Sequence, residues 1–319
     1  MRRIAAFLLV PMIACAALAG CSSSGGSSAV NNKAVTVSGA FNAPPKVTIP
    51  DKAPGSALAY STPIKGAGSA LVAGDVTLAN VVLYKWIGTK HTLVDSTFNQ
   101  GPQLIPSDLG LPGLATALKG QTLGSRVLAV LPPKYAYGST GNSSLNISGT
   151  DTLVWVIDLL QQYAPGASVS GTQTSNGGGA LPTVTAKAGQ QPVVTVPNTA
   201  PPKGLTVTTL IQGTGSKLEG GDTVVAQYVG VNWRTGKVFS ASWPSSSSPE
   251  GEPFAFQLGG QVIAGWNQAL AGVRVGSRVM LTIPPSLGYG PQGQSSAGIK
   301  GTDTLVFVID ILGVQHPAT

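Results

Sequence analysis

An internal repeat constrains the fold of this chain more than any other sequence feature. The segment IKGAGSALVAGD at 64–75 is matched 147 residues later by IQGTGSKLEGGD, and VTIPDKAP from Val47 is matched at the same spacing by VTVPNTAP. Towards the C-terminus the spacing grows to 152 residues, where GTDTLVWVIDLL from Gly149 is matched by GTDTLVFVIDIL. The repeat predicts two homologous units, the second with a net five extra residues around the Pro/Ser-rich stretch 243–249.

Composition and periodicity predict mostly β structure in each unit. A chain of 319 residues accommodates two domains, and its 10% of charged residues, 42 glycines and 24 prolines favour short strands and turns over long solvated helices. Strands are predicted at 223–231, 278–283 and 304–311, and one short helix near 265–271, with its counterpart at 112–119. We therefore expect an α+β fold, with an antiparallel sheet wrapped around a single short helix in each unit.

The N-terminus is typical of an export signal. Arg2 and Arg3 precede an apolar run that is too short to span a bilayer comfortably, and this run ends in the residues LAGC. The ending resembles the lipobox of bacterial lipoproteins, in which the cysteine, here Cys21, is lipidated and becomes the new N-terminus. We expect a lipid-anchored protein on the extracytoplasmic face of a bacterial cell membrane. The alternative is an ordinary signal peptide with an incidental cysteine.

Composition also predicts the domain boundaries. We expect a signal peptide at 1–20, a flexible tether at 21–45, a first domain at 46–163, a Gly/Ser/Thr linker at 164–181, a second domain at 182–315 and a tail at 316–319. Such linkers permit the two domains to move independently. Because Cys15 lies inside the expected signal, the mature chain has no internal disulfide. We expect a monomer.

Several separated motifs in the second unit resemble, in order, those of the FKBP-type (macrolide-binding) peptidyl-prolyl isomerases. They are VVAQYVG, TGKVFSAS, PFAFQLG, QVIAGWNQAL, IPPSLGYG and GTDTLVFVIDIL. The resemblance covers roughly residues 205–315, and the first unit matches more loosely over 58–163. It implies two FKBP-like domains, each a half-barrel of antiparallel strands around one helix, without a cofactor.

The resemblance also implies an apolar pocket with the ring of Trp266 as its floor. The residues that it places in direct contact with the reacting bond are Tyr228, Phe239, Ile263, Trp266, Tyr289 and Phe307. Those that it places around the substrate are Ser240, Phe254, Phe256, Val262 and Ile299. The alternative for each apolar residue is ordinary core packing, which is the better interpretation of Phe256 and Phe307 taken singly.

Both units depart from the family pattern. Ser240 stands where the family usually has aspartate, and the first unit keeps that acid as Asp95. The first unit has Leu114 at the floor position and Val81 at the position of Tyr228. Its remaining pocket positions are Tyr137, Ile147 and Trp155. Tyr84, three residues beyond Val81, points to the other face of a regular strand and cannot replace the lost tyrosine unless the strand bulges. We expect a degraded or altered pocket in the first unit.

Other chemistries have little support. The net charge of +7 includes Arg2 and Arg3, and without a Lys/Arg cluster with interleaved aromatics we expect no nucleic-acid binding. His91 and His316 are the only histidines, and they stand in unlike contexts, so no metal site is predicted.

The preferred hypothesis is a prolyl isomerase that acts on X-Pro bonds of secreted or cell-envelope proteins. Its apolar pocket would stabilise the twisted amide without covalent catalysis. The alternative is a non-catalytic chaperone or scaffold that binds proline-containing segments. A third interpretation makes the repeats structural spacers on the cell surface.

Overall fold

The two halves of the chain form two six-stranded antiparallel sheets, each with one short helix, as the repeat predicts. A computed structural model describes residues 31–106, 109–244, 251–260 and 262–317. The first unit contains β1 (Thr36–Ser38), β2 (Lys46–Thr48), β3 (Ala59–Ile64), β4 (Val76–Ile87), β5 (Lys90–Ser96), β6 (Gln103–Pro106), α1 (Pro112–Leu118), β7 (Arg126–Leu131) and β8 (Thr152–Tyr163). The second contains β9 (Thr183–Thr185), β10 (Val193–Thr195), β11 (Thr206–Ile211), β12 (Thr223–Asn232), β13 (Val238–Ala241), β14 (Phe254–Gln257), α2 (Ala264–Leu270), β15 (Arg278–Ile283) and β16 (Leu305–Gln315).

The strand order is the same in both sheets. In the first unit it is β3-β7-β8-β4-β5, with β6 also paired to β4, and in the second β11-β15-β16-β12-β13, with β14 also paired to β12. Along one edge, the long strand β4 pairs with both β5 and β6, and the long strand β12 pairs with both β13 and β14. In β12 the pairs are Val229 with Ala241 of β13 and Ala226 with Phe254 of β14. This arrangement brings the pocket side chains of three strands to one face of the sheet.

The alternation of side chains along β16 divides the core of the second unit into two layers. Phe307, Ile309 and Ile311 pack on the face that carries α2, whereas Val306 and Val308 pack on the outer face. The period of two follows from strand geometry. On α2, Trp266, Ala269 and Leu270 are buried at the i, i+3 and i+4 spacing that points them to one side. The floor position is therefore held by a helix that faces the sheet.

A short hairpin covers the outer face of each sheet. In the first unit β1 pairs with β2, and in the second β9 pairs with β10. Val35 and Ile49 are buried with Trp86 under the first hairpin, and Val184 is buried with Trp233 under the second. The first hairpin begins inside the range 21–45, which the composition predicts to be a flexible tether. Apolar side chains on an otherwise exposed sheet face provide the reason for this difference.

A buried ion pair fastens each covering segment to its sheet. In the second unit Nε of Arg278 lies 2.6 Å from Oδ1 of Asp310, and the other oxygen of Asp310 accepts the N–H of Val169 at 3.1 Å. In the first unit Arg126 pairs with Asp158 in the same geometry. The expected linker 164–181 is thus bound to the second unit instead of lying free between the two.

Candidate aromatic pocket

Trp266 forms the floor of an aromatic cluster in the second unit. It is 4% exposed, and four rings contact it at steep angles. The ring centroids of Phe256 and Phe307 both lie 5.2 Å from that of the indole, with interplanar angles of 69° and 90°. Those of Tyr228 and Phe254 lie 5.4 Å and 6.4 Å away. Edge-on aromatic contacts of this kind are favourable, so the surrounding rings lie roughly perpendicular to the indole plane.

Apolar packing, without a side-chain hydrogen bond to another described residue, holds the floor in place. The indole N–H of Trp266 is buried and has no acceptor among the residues that the structure describes. An unpaired buried N–H costs free energy, which the surrounding rings must offset. The indole therefore depends on its neighbours for its orientation.

The absence of a side chain at Gly230 makes room for two of the wall rings. A Cβ atom at this position would lie 2.7 Å from Cζ of Phe239 and 2.8 Å from Cε1 of Phe307. The rings of Phe239 and Phe307 meet at 5.5 Å and 89° beside it. Sequence reasoning did not single out Gly230. The repeat carries the signal, because it aligns this glycine with Leu83.

The rim of the cluster is open to solvent and offers two hydrogen-bond donors. Tyr289 is 37% exposed and Phe254 is 39% exposed, whereas Ile263 is half-buried at the start of α2. The main-chain N–H of Ile263 has no acceptor in the described part of the chain. Burial, and then the neighbouring Tyr228, raise the pKa of the Tyr289 hydroxyl above its ordinary value of 10.0. The hydroxyl is therefore a protonated donor at neutral pH.

Ser240 occupies the position of the family aspartate without leaving Tyr228 unpaired. Its hydroxyl lies 2.8 Å from the hydroxyl of Tyr228, and either can donate. The Tyr228 N–H donates to Ser242, which fixes the strand beside this pair. The serine thus preserves a hydrogen bond to the wall tyrosine but adds no charge to the pocket.

The structure brings most of the predicted pocket residues into one apolar cluster. Phe256, Trp266, Ile299 and Phe307 are its buried members, and the half-buried residues packed against them include Tyr228, Phe239, Val262 and Ile263. Tyr289 and Phe254 lie at the rim instead. Phe256 and Phe307 are only 6% and 4% exposed, so both also pack in the core.

The corresponding site in the first unit is largely aliphatic. Leu114 is fully buried at the floor position, Val81 replaces the wall tyrosine, and Leu83 fills the space that Gly230 leaves open. Trp155 is 3% exposed and Ile147 is 5% exposed, so both belong to the core. Tyr84 packs against the outer-face cluster. It does not replace the lost tyrosine.

The polar side chains at the first site also have different hydrogen-bond partners from those at the second site. The side chain of Asn142 hydrogen bonds to Tyr137, and burial raises the pKa of the Tyr137 hydroxyl. Asp95 is half-buried and accepts the N–H of Ser96 at 2.8 Å. The first site thus keeps a rim tyrosine, an acid and the aromatic Trp155, but it lacks the floor tryptophan and the wall tyrosine.

Elsewhere the described residues contain no group of three or more His, Cys, Asp or Glu side chains placed to hold a metal ion. Within the same residues no helix has the length and apolar character needed to cross a membrane. Cys21 and the expected signal peptide lie outside the described residues.

Comparison with known proteins identifies the family. A family model described as FKBP-type peptidyl-prolyl cis-trans isomerase matches residues 76–160 and 215–312. An FK506-binding protein of Streptomyces anulatus is 41% identical over 126 residues, which are 39% of this chain and 98% of the relative. A probable FK506-binding protein of Corynebacterium glutamicum is 38% identical over 123 residues, with the same coverage of 39% and 98%.

Two solved bacterial structures are similar to part of this chain. A peptidyl-prolyl cis-trans isomerase of Pseudomonas syringae pv. tomato is 32% identical and covers 35% of this chain and 76% of its own, with a TM-score of 0.30. FkpA from Escherichia coli is 36% identical, covering 36% of this chain and 50% of its own, with a TM-score of 0.32. The two segments that match the family model lie one in each repeated unit, so the chain belongs to the FKBP-type peptidyl-prolyl cis-trans isomerase family and is a rotamase.

Proposed function

We propose that the second unit carries the isomerase activity and that its substrates are X-Pro bonds of secreted or cell-envelope proteins. The main observation behind this proposal is that aromatic side chains surround the Trp266 indole. The rim of this cluster, at Tyr289 and Phe254, is open to solvent. At the equivalent positions the first unit has Leu114 for the floor tryptophan and Val81 for the wall tyrosine, and it keeps an aromatic side chain only where Trp155 replaces Phe307 and at the rim tyrosine Tyr137.

The mechanism follows from the chemistry of the amide bond. Rotation about an X-Pro bond meets a barrier of about 20 kcal/mol because resonance gives the C–N bond partial double-bond character. In the rotated state this resonance is lost and the carbonyl dipole is smaller. An apolar pocket that removes water from the planar amide therefore favours the rotated state over the planar one. No acid, base or nucleophile is required.

The rim donors orient the substrate in this proposal. The main-chain N–H of Ile263 and the hydroxyl of Tyr289 each donate to a carbonyl oxygen of the bound peptide, while the prolyl ring lies on the Trp266 indole. A phenol keeps its proton at neutral pH, and the raised pKa of Tyr289 extends this protonated range further upward. Preorganised donors of this kind hold the peptide without a reorganisation cost during rotation.

Replacement of Trp266 tests which unit carries the isomerase activity. Trp266→Leu copies the residue that the first unit has at this position, and it removes four ring contacts that are each worth about 0.5–1.5 kcal/mol. We expect kcat/KM of the full chain, measured with a proline-containing peptide in a protease-coupled assay, to fall about tenfold or more. Leu114→Met in the first unit is the matched control and leaves the rate unchanged. An unchanged rate in Trp266→Leu would exclude the second pocket as the main site.

A second candidate function is the binding of proline-containing segments without turnover. The neutral Ser240 and the aliphatic first pocket favour it. Exchange spectroscopy on a labelled Leu-Pro peptide separates the two functions. Catalysis gives exchange cross-peaks between cis and trans prolyl signals, whereas simple binding shifts the signals without such exchange.

We also propose that Cys21 anchors the protein by lipidation to the extracytoplasmic face of the bacterial membrane. The LAGC sequence after an apolar segment supports this, and the Ser-rich stretch that follows suits a tether. Cys21→Ser should move the protein from the membrane fraction to the soluble fraction and abolish incorporation of labelled palmitate. Cys15→Ser, the matched control, should change neither. Retention of the Cys21→Ser protein in the membrane fraction would refute the anchor.

A further inference from the structure

The end of β8 in the first unit lies against the end of β16 in the second. Nε2 of Gln161 donates to the carbonyl oxygen of Val314 at 3.1 Å, and the Tyr163 hydroxyl donates to Oε1 of the same glutamine. Burial raises the pKa of the Tyr163 hydroxyl well above its ordinary value of 10.0. The two side chains thus reach from one unit onto the other.

Gly313 is the position on the second unit that receives these side chains. A Cβ atom there would overlap the hydroxyl oxygen of Tyr163 and would lie 2.7 Å from Oε1 of Gln161. The three nearest atoms to that Cβ position all belong to the first unit. The small residue therefore leaves room for side chains of the first unit to contact the second.

The repeat shows that this glycine is a departure from the common pattern. Gly313 pairs with Val225 in the second sheet, and the equivalent pair in the first sheet is Gln161 with Leu78. The same strand position therefore carries a long polar side chain in one unit and no side chain in the other. The two sequences differ in a complementary way, since the side chain of the first fills the space above the second.

The connection between the units leaves no free hinge. Immediately after β8, the carbonyl oxygen of Pro165 accepts a hydrogen bond from the side chain of Gln227 in β12. The N–H of Val169 then binds Asp310, and the N–H of Thr174 binds the carbonyl oxygen of Leu210 at 2.9 Å. The chain is thus attached to the second unit within two residues of Tyr163.

We propose that the two units form one rigid body, held by a docking surface on the second unit in which Gly313 accepts the phenol of Tyr163. In this arrangement the first unit serves as a fixed support for the second. Its own pocket is free to diverge, because support depends on the end of β8 and not on the aromatic walls. Under this proposal the two domains keep a single orientation, in contrast to the independent movement that the composition predicts.

Distances between the units test the proposal. Lys90 and Lys237 are exposed at equivalent hairpin tips in the two units. Each is replaced by a nitroxide-labelled cysteine in the full chain, with Cys15→Ser and Cys21→Ser present throughout, and the distance distribution is measured by electron–electron double resonance. We expect one narrow distribution for the otherwise unaltered chain.

Two variants should each broaden the distribution several-fold. Gly313→Gln places in the second unit the residue that the first unit has there, and Tyr163→Ala removes the docked phenol. Gly204→Gln is the matched control, because a Cβ at Gly204 meets nothing within 4 Å, and its distribution should stay narrow. A broad distribution in the unaltered chain would overturn the proposal, and so would narrow distributions in both docking variants. The peptide isomerisation rate and the amide spectrum of each variant report whether the units are folded, independently of the distances.

Discussion

At the scale of single residues, the difference between the two pockets depends on volume. Gly230 leaves the space that the rings of Phe239 and Phe307 occupy, and Leu83 fills the same space in the first unit. Restoring a tyrosine and a tryptophan to the first unit would therefore not rebuild its pocket while Leu83 remains. Close packing in protein interiors does not accommodate both.

Gly230→Ala should lower kcat/KM of the chain by about tenfold, since the added methyl group forces two wall rings to move. The protease-coupled peptide assay gives the rate, and thermal unfolding reports the accompanying loss of stability. Gly204→Ala serves as the control at an open position. A Gly230→Ala protein with the unaltered rate would show that the positions of these rings do not govern catalysis.

Ser240→Asp should raise kcat/KM several-fold. The Tyr228 hydroxyl is already 2.8 Å from the serine hydroxyl, so a carboxylate at this position accepts a charge-assisted hydrogen bond that holds the wall tyrosine more firmly. The same peptide assay measures the change. Ser240→Ala, which removes the acceptor, should lower the rate. A lower kcat/KM in the aspartate variant than in the unaltered chain would contradict this prediction and show that the neutral side chain of Ser240 suits this pocket better.

At the scale of elements, the turn before β16 is stabilised by one carboxylate. Asp303 accepts hydrogen bonds from the Asn232 side chain at 2.7 Å and from the Lys300 N–H at 2.9 Å, and it pairs with Arg234. The Arg234 hydrogen bond is the largest cause that lowers the pKa of Asp303 below its ordinary value of 3.8. In the first unit Ile87 replaces the arginine, so only the second unit has this clamp.

Asp303→Asn should lower the free energy of unfolding of the second unit at neutral pH by about 1 kcal/mol, a modest figure because Arg234 is 42% exposed. A lowered pKa in the folded state stabilises the protein above the ordinary carboxyl range, and this stabilisation is lost as the pH falls below it. The difference between variant and unaltered chain should therefore shrink below about pH 4. Urea unfolding at pH 7 and pH 3 measures it. An equal difference at both values would exclude the ionised pair as its cause.

At the scale of the whole molecule, the docking of Tyr163 against Gly313 should couple the stability of the two units. Leu114 is fully buried in the first unit, and Leu114→Ala is expected to destabilise that unit by about 2–5 kcal/mol. At a urea concentration that unfolds only the first unit of this variant, we expect amide hydrogens in β16 to exchange faster than they do in the unaltered chain. Adding Tyr163→Ala should remove the effect, because the support is then already lost. Unchanged exchange in β16 of the Leu114→Ala protein would show that the units are energetically independent.

Much of the fold and part of the site could be predicted from local patterns. The helix predicted near 265–271 is α2, Ala264–Leu270, and the strand predicted at 278–283 is β15. The order of the motifs was sufficient to indicate the family, which the match of the family model confirms. The roles of Ile263 and Tyr289 in catalysis stay predictions, although both lie at the rim of the cluster.

The sequence by itself determined that there are two homologous units, which side chains face the helix in each, and which unit keeps the aromatic residues. These properties follow from the periodicity of apolar residues and from the repeat, both of which are visible in the linear sequence. Only the tertiary structure decided that the hairpins cover the outer sheet faces, that Gly230 makes room for two rings, and that Gly313 receives Tyr163. Such contacts join segments distant in sequence, and whether two side chains share one space depends on the path of the backbone between them.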